Sequence, residues 1–309
     1  MAQTLIPSPE SAFDKQLSFN REYIRSFKIK TITFDIIDKK DFQVAEDKNL
    51  VHYYEFDSEG RLKRFYYTII NKVIQKEYHS GPVYHHRRKV SNGYTYTKNE
   101  YTYDTVSTVY FYNTSGDLSM KRYNDGTYYE SYYYEYDASH RVTREKRCKE
   151  TNASLSKTEF QLGVQYVISD ETYVYQETGK KQYKKICKND EGLTYKEIIV
   201  NLNDAGQPVS WNEQYTATWI VQSTSFGYNK KGQLAEVSFK GNANGELVLE
   251  RIYEYDERDC VYTEKQLKNN QLQMEVSYVT DETKRLSSFI MRNPAEKTMR
   301  IVKLIYAYQ

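Results

Sequence analysis

The chain has 309 residues, with 44 basic and 42 acidic side chains, 13 Gly, 5 Pro, 3 Cys and 33 Tyr. Glycine and proline are too sparse for collagen or a low-complexity linker, and no run reaches the roughly 18 apolar residues of a membrane helix. A net charge of +2 gives no general pull toward nucleic acid or anionic lipid.

Leu, Ile, Val and Phe are only about a fifth of the chain, close to the level at which chains stay disordered. Tyrosine makes up the missing apolar area, because its ring buries like Phe while its hydroxyl stays wet or hydrogen-bonded. The chain opens without a basic n-region followed by an apolar h-region. Ala2-Gln3-Thr4 looks like the remnant of a secretory signal cut after a small residue, so the expectation is an exported protein, periplasmic or on the cell surface. Residues 1–27 read as an N-terminal segment in which Ser8-Pro9-Glu10 has the form of a short helix start. From Lys28 the text Lys-Ile-Lys-Thr-Ile-Thr-Phe-Asp-Ile-Ile alternates with period two, opening a single β domain over 28–309.

Tyr78 to His86 brings His79, His85 and His86 around a Gly81-Pro82 turn that runs into Arg87-Arg88-Lys89. No further ligand stands at a motif spacing, so the segment reads as a polar hairpin tip rather than a metal site. Tyr94 with Tyr96, and Tyr101 with Tyr103, form an aromatic ladder beyond it.

One phrase then recurs: aromatic, any residue, aromatic, Asp or Asn, two residues, often Gly, one residue, Leu or Val. It stands at Tyr54-Glu55-Phe56-Asp57 with Gly60 and Leu62, at Tyr110-Phe111-Tyr112-Asn113 with Gly116 and Leu118, and at Tyr134-Glu135-Tyr136-Asp137 with His140 and Val142. It returns at Leu202-Asn203-Asp204 with Gly206, at Phe226-Gly227-Tyr228-Asn229 with Gly232, at Tyr253-Glu254-Tyr255-Asp256 with Val261, and, worn, at Tyr278 to Asp281 with Leu286. The side chain of Asp or Asn closes a turn and the Gly supplies positive φ, so the phrase is a hairpin turn; Asp57, Asp137, Asp204 and Asp256 read as turn formers. Later copies are 26, 27 and 25 residues apart, room for two strands and two turns. The expectation is an all-β antiparallel meander of long Tyr-rich hairpins, twisted and curled into an open or closed barrel-like shape.

Phe56-Asp57-Ser58-Glu59-Gly60-Arg61-Leu62, and next to it Tyr136-Asp137 with Arg141-Val142, resemble the YD repeats of the RHS family over roughly residues 50 to 290. The chain is also similar to exported bacterial proteins whose repeats form a wide, porin-like curled sheet. These resemblances imply a hairpin array and an exported compartment, and no activity.

A membrane barrel needs an apolar face on every strand. In Val248 to Tyr255 the even positions carry Val, Glu, Ile and Glu, and the odd positions Leu, Arg, Tyr and Tyr, so charge falls on both faces. No lipid face is expected. Cys148, Cys187 and Cys260 read as unpaired thiols in strands.

There is no Gly-x-Ser-x-Gly, HExxH, phosphate loop or cofactor motif. The reading is therefore a non-catalytic module. Trp211, Glu213, Tyr215 and Trp219 lie at even spacings, so Trp211 and Tyr215 share a face if extended, while a turn near Thr216-Ala217 sets Trp219 opposite one of them. Rings beside a carboxylate suit a glycan or an extended peptide. The alternatives are a scaffold that pairs with itself or a protein partner through sheet edges, and a glycoside hydrolase using dispersed carboxylates.

Overall fold

A computed structural model describes residues 3–13, 16–81, 83–85, 88–91, 93–155, 159–218, 220–241 and 247–309, with backbone alone for 83–85 and 88–91. A short helix, α1 (Arg21–Ser26), precedes β1 (Ile29–Lys40), β2 (Glu46–Phe56), β3 (Leu62–Ser80), β4 (Val83–His85), β5 (Arg88–Ser91), β6 (Tyr94–Tyr112), β7 (Leu118–Asn124), β8 (Tyr129–Tyr136), β9 (Val142–Asn152) and β10 (Leu162–Gly179). There follow β11 (Gln182–Lys188), β12 (Thr194–Leu202), β13 (Pro208–Tyr215), β14 (Val221–Tyr228), β15 (Leu234–Gly241), β16 (Leu247–Tyr255), β17 (Val261–Lys268), β18 (Gln271–Thr280), β19 (Leu286–Asn293) and β20 (Thr298–Tyr308). Apart from the small β4–β5 pair at the tip of the β3–β6 connection, each strand pairs antiparallel with its neighbour in the chain, and β1 pairs with both β2 and β20. The result is a closed barrel of 18 strands. The choice between an open sheet and a closed one is settled by the register Phe34↔Leu304 and Ile36↔Val302, which leaves neither terminal strand with a free edge along that stretch.

The recurring phrase forms the turns expected of it. The Asp137 carboxylate accepts from the Ser139 and Arg141 amides at 2.9 and 3.0 Å, and Asp256 and Asp281 repeat the pattern. Asn203 and Asn229 do the same through an amide oxygen, and Asn113 accepts from the Asp117 amide. At 203–204 the turn former is therefore Asn203 rather than Asp204, which stands one position on, exposed, and pairs with Lys181. His140 takes the glycine's place at φ 59° and its ring meets Asp117 at 2.9 Å. The seven copies connect β2 to β3, β6 to β7, β8 to β9 and the even-to-odd pairs from β12 to β19, so all lie at one end of the barrel, the turn end.

That end shows why the chain is so rich in tyrosine. Between successive hairpins the backbone ladder stops short of the turns: β7 and β8 last pair at Met120↔Tyr133, and β15 and β16 at Glu236↔Ile252. Two residues before each last pair a carbonyl is left over, and a tyrosine three residues beyond the partner donates its hydroxyl to it. The bonds are Tyr112 to Leu62 (2.8 Å), Tyr136 to Leu118 (2.8 Å), Tyr175 to Val142 (2.9 Å), Tyr228 to Pro208 (2.7 Å), Tyr255 to Leu234 (2.7 Å) and Tyr306 to Leu286 (2.5 Å). A half-buried carbonyl that has lost its ladder partner is costly, so each hydroxyl replaces a backbone donor.

The N-terminal segment folds into this end. Ser8 to Ala12 is a single turn, closed by Ala12 N–H donating to Pro9, and not a helix; the helix lies further on, where Asn20 caps α1 through the Glu22 and Tyr23 amides. Thr4 bonds Lys284 and Leu286, Gln3 accepts from Val261, Phe13 packs edge-on against Phe239, Phe19 against Tyr54 and Phe56, and Gln16 accepts from Tyr110. With Leu5, Tyr23 and Ile24 it forms one core with the inward side chains of β1, β2 and β14–β20, among them Phe34, Tyr54, Val237, Tyr278 and Phe289.

At Gly60 an added Cβ would sit 2.3 Å from the Arg21 carbonyl oxygen, and φ is +75°. Gly206 has φ +76° and open space. Gly60→Ala should therefore lower stability by more than about 2 kcal/mol and Gly206→Ala by about 1 kcal/mol in denaturant titrations. Tyr136→Phe and Tyr255→Phe should each cost about 1 kcal/mol by the same measurement, additively, since their carbonyls are separate.

The pKa values of Asp137, Asp256 and Asp281 are lowered. For Asp137 the Arg141 amide is the largest cause; for the other two burial opposes the shift and is outweighed by the amides and by Arg258, or by Thr283 and Arg285. A carboxyl with a depressed folded pKa contributes stability above its unfolded value of about 3.9, and that contribution is lost as pH falls through the folded value. Thermal melts from neutral pH down to about pH 2 should show this acid loss, and the triple Asp→Asn variant should flatten it while keeping the turns, as Asn113, Asn203 and Asn229 already do.

Candidate functional site

Register carries one inward face around the whole ring. Tyr54 lies opposite Phe65, Phe65 opposite Thr108, Thr108 opposite Tyr123, and Tyr123 opposite Glu130. Tyr134 then faces Glu145, Glu145 faces Glu171, Tyr173 faces Cys187, Cys187 faces Lys196, and Lys196 faces Tyr215. The circuit closes through Trp211 opposite Thr224, Phe226 opposite Val237, Tyr278 opposite Phe289 and Leu304 opposite Phe34.

The part of this wall on β1, β2 and β14–β20 joins the N-terminal segment in the apolar core, with Arg251 paired to Glu264 and Arg300 to Asp38 on the same face. The stretch from β7 to β13 is lined by tyrosines and charges that are mostly part-exposed, with Glu130 and Cys187 buried among them. The molecule exposes 19295 Å², against about 13,500 Å² for a compact protein of its mass. Barrels of this strand number leave a water-filled channel unless something fills them. The polar half-wall borders that space.

Its side chains hold one another. Arg147 is bidentate to Glu130 at 2.8 and 2.9 Å and lies over the Tyr132 ring with Lys121. Tyr132 also donates to Glu130, and burial and that carboxylate together push its hydroxyl up to about 12. Tyr173 donates to Glu171 at 3.1 Å and reaches Glu145 at 3.5 Å, and Tyr195 donates to Glu171 as well. Lys185 sits 3.7 Å above the Tyr173 ring, and burial pulls its pKa down. Lys196 meets Glu213 at 3.2 Å and lies over Tyr215; burial acts against its charge, but Glu213 and Tyr215 outweigh it and the pKa rises. Among the described residues no group of three or more His, Cys, Asp or Glu converges as a metal site.

Trp211, Glu213 and Tyr215 thus do share one face, on an extended β13, and that face is the inner wall. They are not equivalent. Trp211 packs edge-on against Phe226 at 4.7 Å and abuts the core, whereas Tyr215 and Glu213 face the polar side with Lys196. The turn expected after Tyr215 is present at 216–218, with Tyr215 N–H donating to Ile220; Trp219 lies outside the described residues.

The second ladder is divided. Tyr94 and Tyr96 share one face of β6 with an even spacing, and Tyr101 and Tyr103 point from the other, because five residues separate Tyr96 from Tyr101 in a strand of period two. Tyr96 stacks on Tyr78 at 5.5 Å and remains exposed, while Tyr101 donates to Glu46 and Tyr103 to the Lys48 carbonyl at 2.5 Å. The four rings do not form one platform. His79 meets Thr95 at 2.9 Å; the side chain of His85 and the whole of His86 lie outside the described residues.

Cys148 and Cys187 lie in strands, Cys260 in the turn before β17, and all three are buried free thiols whose pKa burial raises, which keeps them unreactive. Glu150 was not anticipated. It is buried on the outward face and takes hydrogen bonds from Arg122 (2.9 Å), Ser131 (2.6 Å), Tyr133 (2.5 Å) and Gln165 (2.8 Å). The outer face elsewhere carries ion pairs such as Lys265–Glu254 (2.9 Å), Lys184–Glu197 (2.9 Å) and Arg144–Asp170 (2.7 Å).

No protein-family model and no curated protein sequence matches the chain. Among solved structures it is similar to a porin-like protein from Bacteroides uniformis, at 11% identity and a TM-score of 0.37, covering 90% of this chain and 98% of that one. It is also similar to part of a Photorhabdus luminescens Tc holotoxin pore, at 9% identity and a TM-score of 0.31, covering 88% of this chain and 19% of that one. A third likeness is to TcdB2-TccC3, at 14% identity and a TM-score of 0.27, covering 80% and 13%.

Proposed function

We propose that this chain is an exported, non-catalytic binding module whose barrel lumen takes a glycan or an extended peptide along the polar half-wall of β7–β13. The observation that supports this reading is the division of the inner face: mainly apolar where the N-terminal segment packs on it, and rich in rings and part-exposed charges over β7–β13, where among the described residues that segment does not reach. Tyr132, Tyr134, Tyr173 and Tyr215 offer faces and hydroxyls, and Lys196 and Glu213 offer a polar pair beside Tyr215. The carboxylates of the wall accept hydrogen bonds from Arg147, Lys196, Tyr173 and Tyr195, which suits a lining more than a general acid. The hairpin phrase, with its likeness to YD repeats, accounts for the scaffold and leaves function to this wall.

A panel of neutral and charged oligosaccharides and of tripeptides, read by tryptophan emission and calorimetry, tests the reading. A saturable hit should weaken at least tenfold in Tyr215→Ala with the melting temperature unchanged. Trp211→Ala should instead cost about 3 kcal/mol of stability, because it empties a packed site against Phe226. A panel with no saturable member, or a hit indifferent to Tyr215→Ala and to Lys196→Met, would remove the lumen as the binding site.

A further inference from the structure

Among the described residues, the densest exposed apolar stretch is the first part of β10. Leu162, Val164, Tyr166, Val167 and Ile168 are 49, 53, 60, 56 and 49% exposed, five large side chains within seven residues. This stretch is paired along one edge only. Leu162 to Thr172 run opposite Asn152 to Arg144 of β9, whereas the ladder to β11 begins at Thr172 opposite Lys188. Among the described residues, no strand pairs with the other edge between 162 and 171. An unpaired, apolar strand edge is a template for another strand. Proteins usually guard such edges with charge, yet 162–168 contains none in a chain that is 28% charged.

We propose that this edge pairs antiparallel with the same edge of a second copy, about a two-fold axis close to Gln165. The sequence Leu-Gly-Val-Gln-Tyr-Val-Ile is apolar read in either direction. In that register Leu162 meets the second copy's Ile168, Val164 meets its Tyr166, and the two Gln165 residues lie opposite each other with their side chains held by Glu150 and Tyr133 of their own copy. Within 162–168 no like charges are brought together, which is what a self-complementary interface requires. Shifting the axis by one residue would set Asp170 against Leu162, and Asp170 is already held by Arg144 at 2.7 Å on both oxygens. Register breaks against β9 between Leu162 and Gln165 and between Val167 and Ser169 flank the centre. Such bulges twist a strand out of plane, so the pairing stays short and closes at two copies instead of continuing as a fibre. Half-exposed, the five side chains offer roughly 400 Å² per copy, and with backbone the pair buries about 1,000 Å², the lower limit for a specific interface and consistent with micromolar association. This inference stands apart from the lumen reading, since the two use different surfaces.

Sedimentation of the full chain from about 1 to 100 µM tests it, spanning the affinity such an area supports. The expected result is a concentration-dependent rise from 36.7 kDa toward twice that mass. Val164→Lys and Ile168→Lys should weaken association at least tenfold with unchanged circular dichroism, while Val279→Lys, at an equally exposed apolar position on β18, should not. Hydrogen exchange on the unmodified chain gives a second readout, independent of whether the variants fold: amides in 164–168 should gain protection as concentration rises. A monomer throughout, a dimer untouched by both lysine variants, open-ended assembly, or exchange at 164–168 that ignores concentration would each overturn the proposal.

Discussion

The fold depends on what happens to backbone carbonyls where neighbouring hairpins flare apart. A barrel of long strands cannot keep every pair of strands in hydrogen-bonding contact up to its rim, because each turn carries an extra residue and bends its strands away. The orphan carbonyls at the rim are too enclosed to be left to solvent alone. The chain answers with one device used six times, a tyrosine hydroxyl in place of a backbone amide. Phenylalanine would supply the packing but not the donor. Six of the 33 tyrosines serve this end, which phenylalanine could not.

The gaps in that series are as informative as its members. Between β17 and β18 the position of the donor tyrosine is Thr280, and this is where the N-terminal segment enters, with Gln3 accepting from Val261 and Thr4 bonding Lys284 and Leu286. Between β11 and β12 the ladder continues instead, through Leu202 N–H to Lys181. The interior is divided accordingly. Where the segment lies, the wall is Phe, Val, Leu and buried Tyr; away from it, cross-strand pairs of Tyr with Lys, Arg and Glu stabilise each other at the edge of water.

Much of this was legible in the sequence because the governing signals are local. An Asp or Asn followed by a residue that tolerates positive φ fixes a turn wherever it stands, and period two fixes which side chains share a face, as it did for Trp211 and Tyr215. The misplaced turn former at Asp204 came from choosing the acid over the amide, although both accept the same amides. The turn at Asn189 has the same side-chain closure but no aromatic pair ahead of it, and it lies at the opposite end of the barrel. The N-terminal helix lies beyond Ser8-Pro9-Glu10 because that cue is satisfied by one turn, whereas the cap Asn20 is recognisable only with the six helical residues that follow it. What lines the lumen was not legible. Glu145, Glu171, Tyr173 and Lys185 come from three strands whose register is set by turns tens of residues away.

Ring closure carries a kinetic consequence. The seam is made by residues such as Ile32 and Tyr306, separated by most of the chain, so the last contact needed to finish the wall is among the most distant in sequence. Each hairpin can zip locally, but β1 must hold an unsatisfied edge until β20 arrives. The N-terminal segment, whose partners include Lys284 and Leu286, is in the same position, since its binding cleft needs residues about 280 positions away. A chain built this way folds slowly from its ends inward while its middle is already formed, and the interval before closure is when it is most open to pairing with the wrong strand.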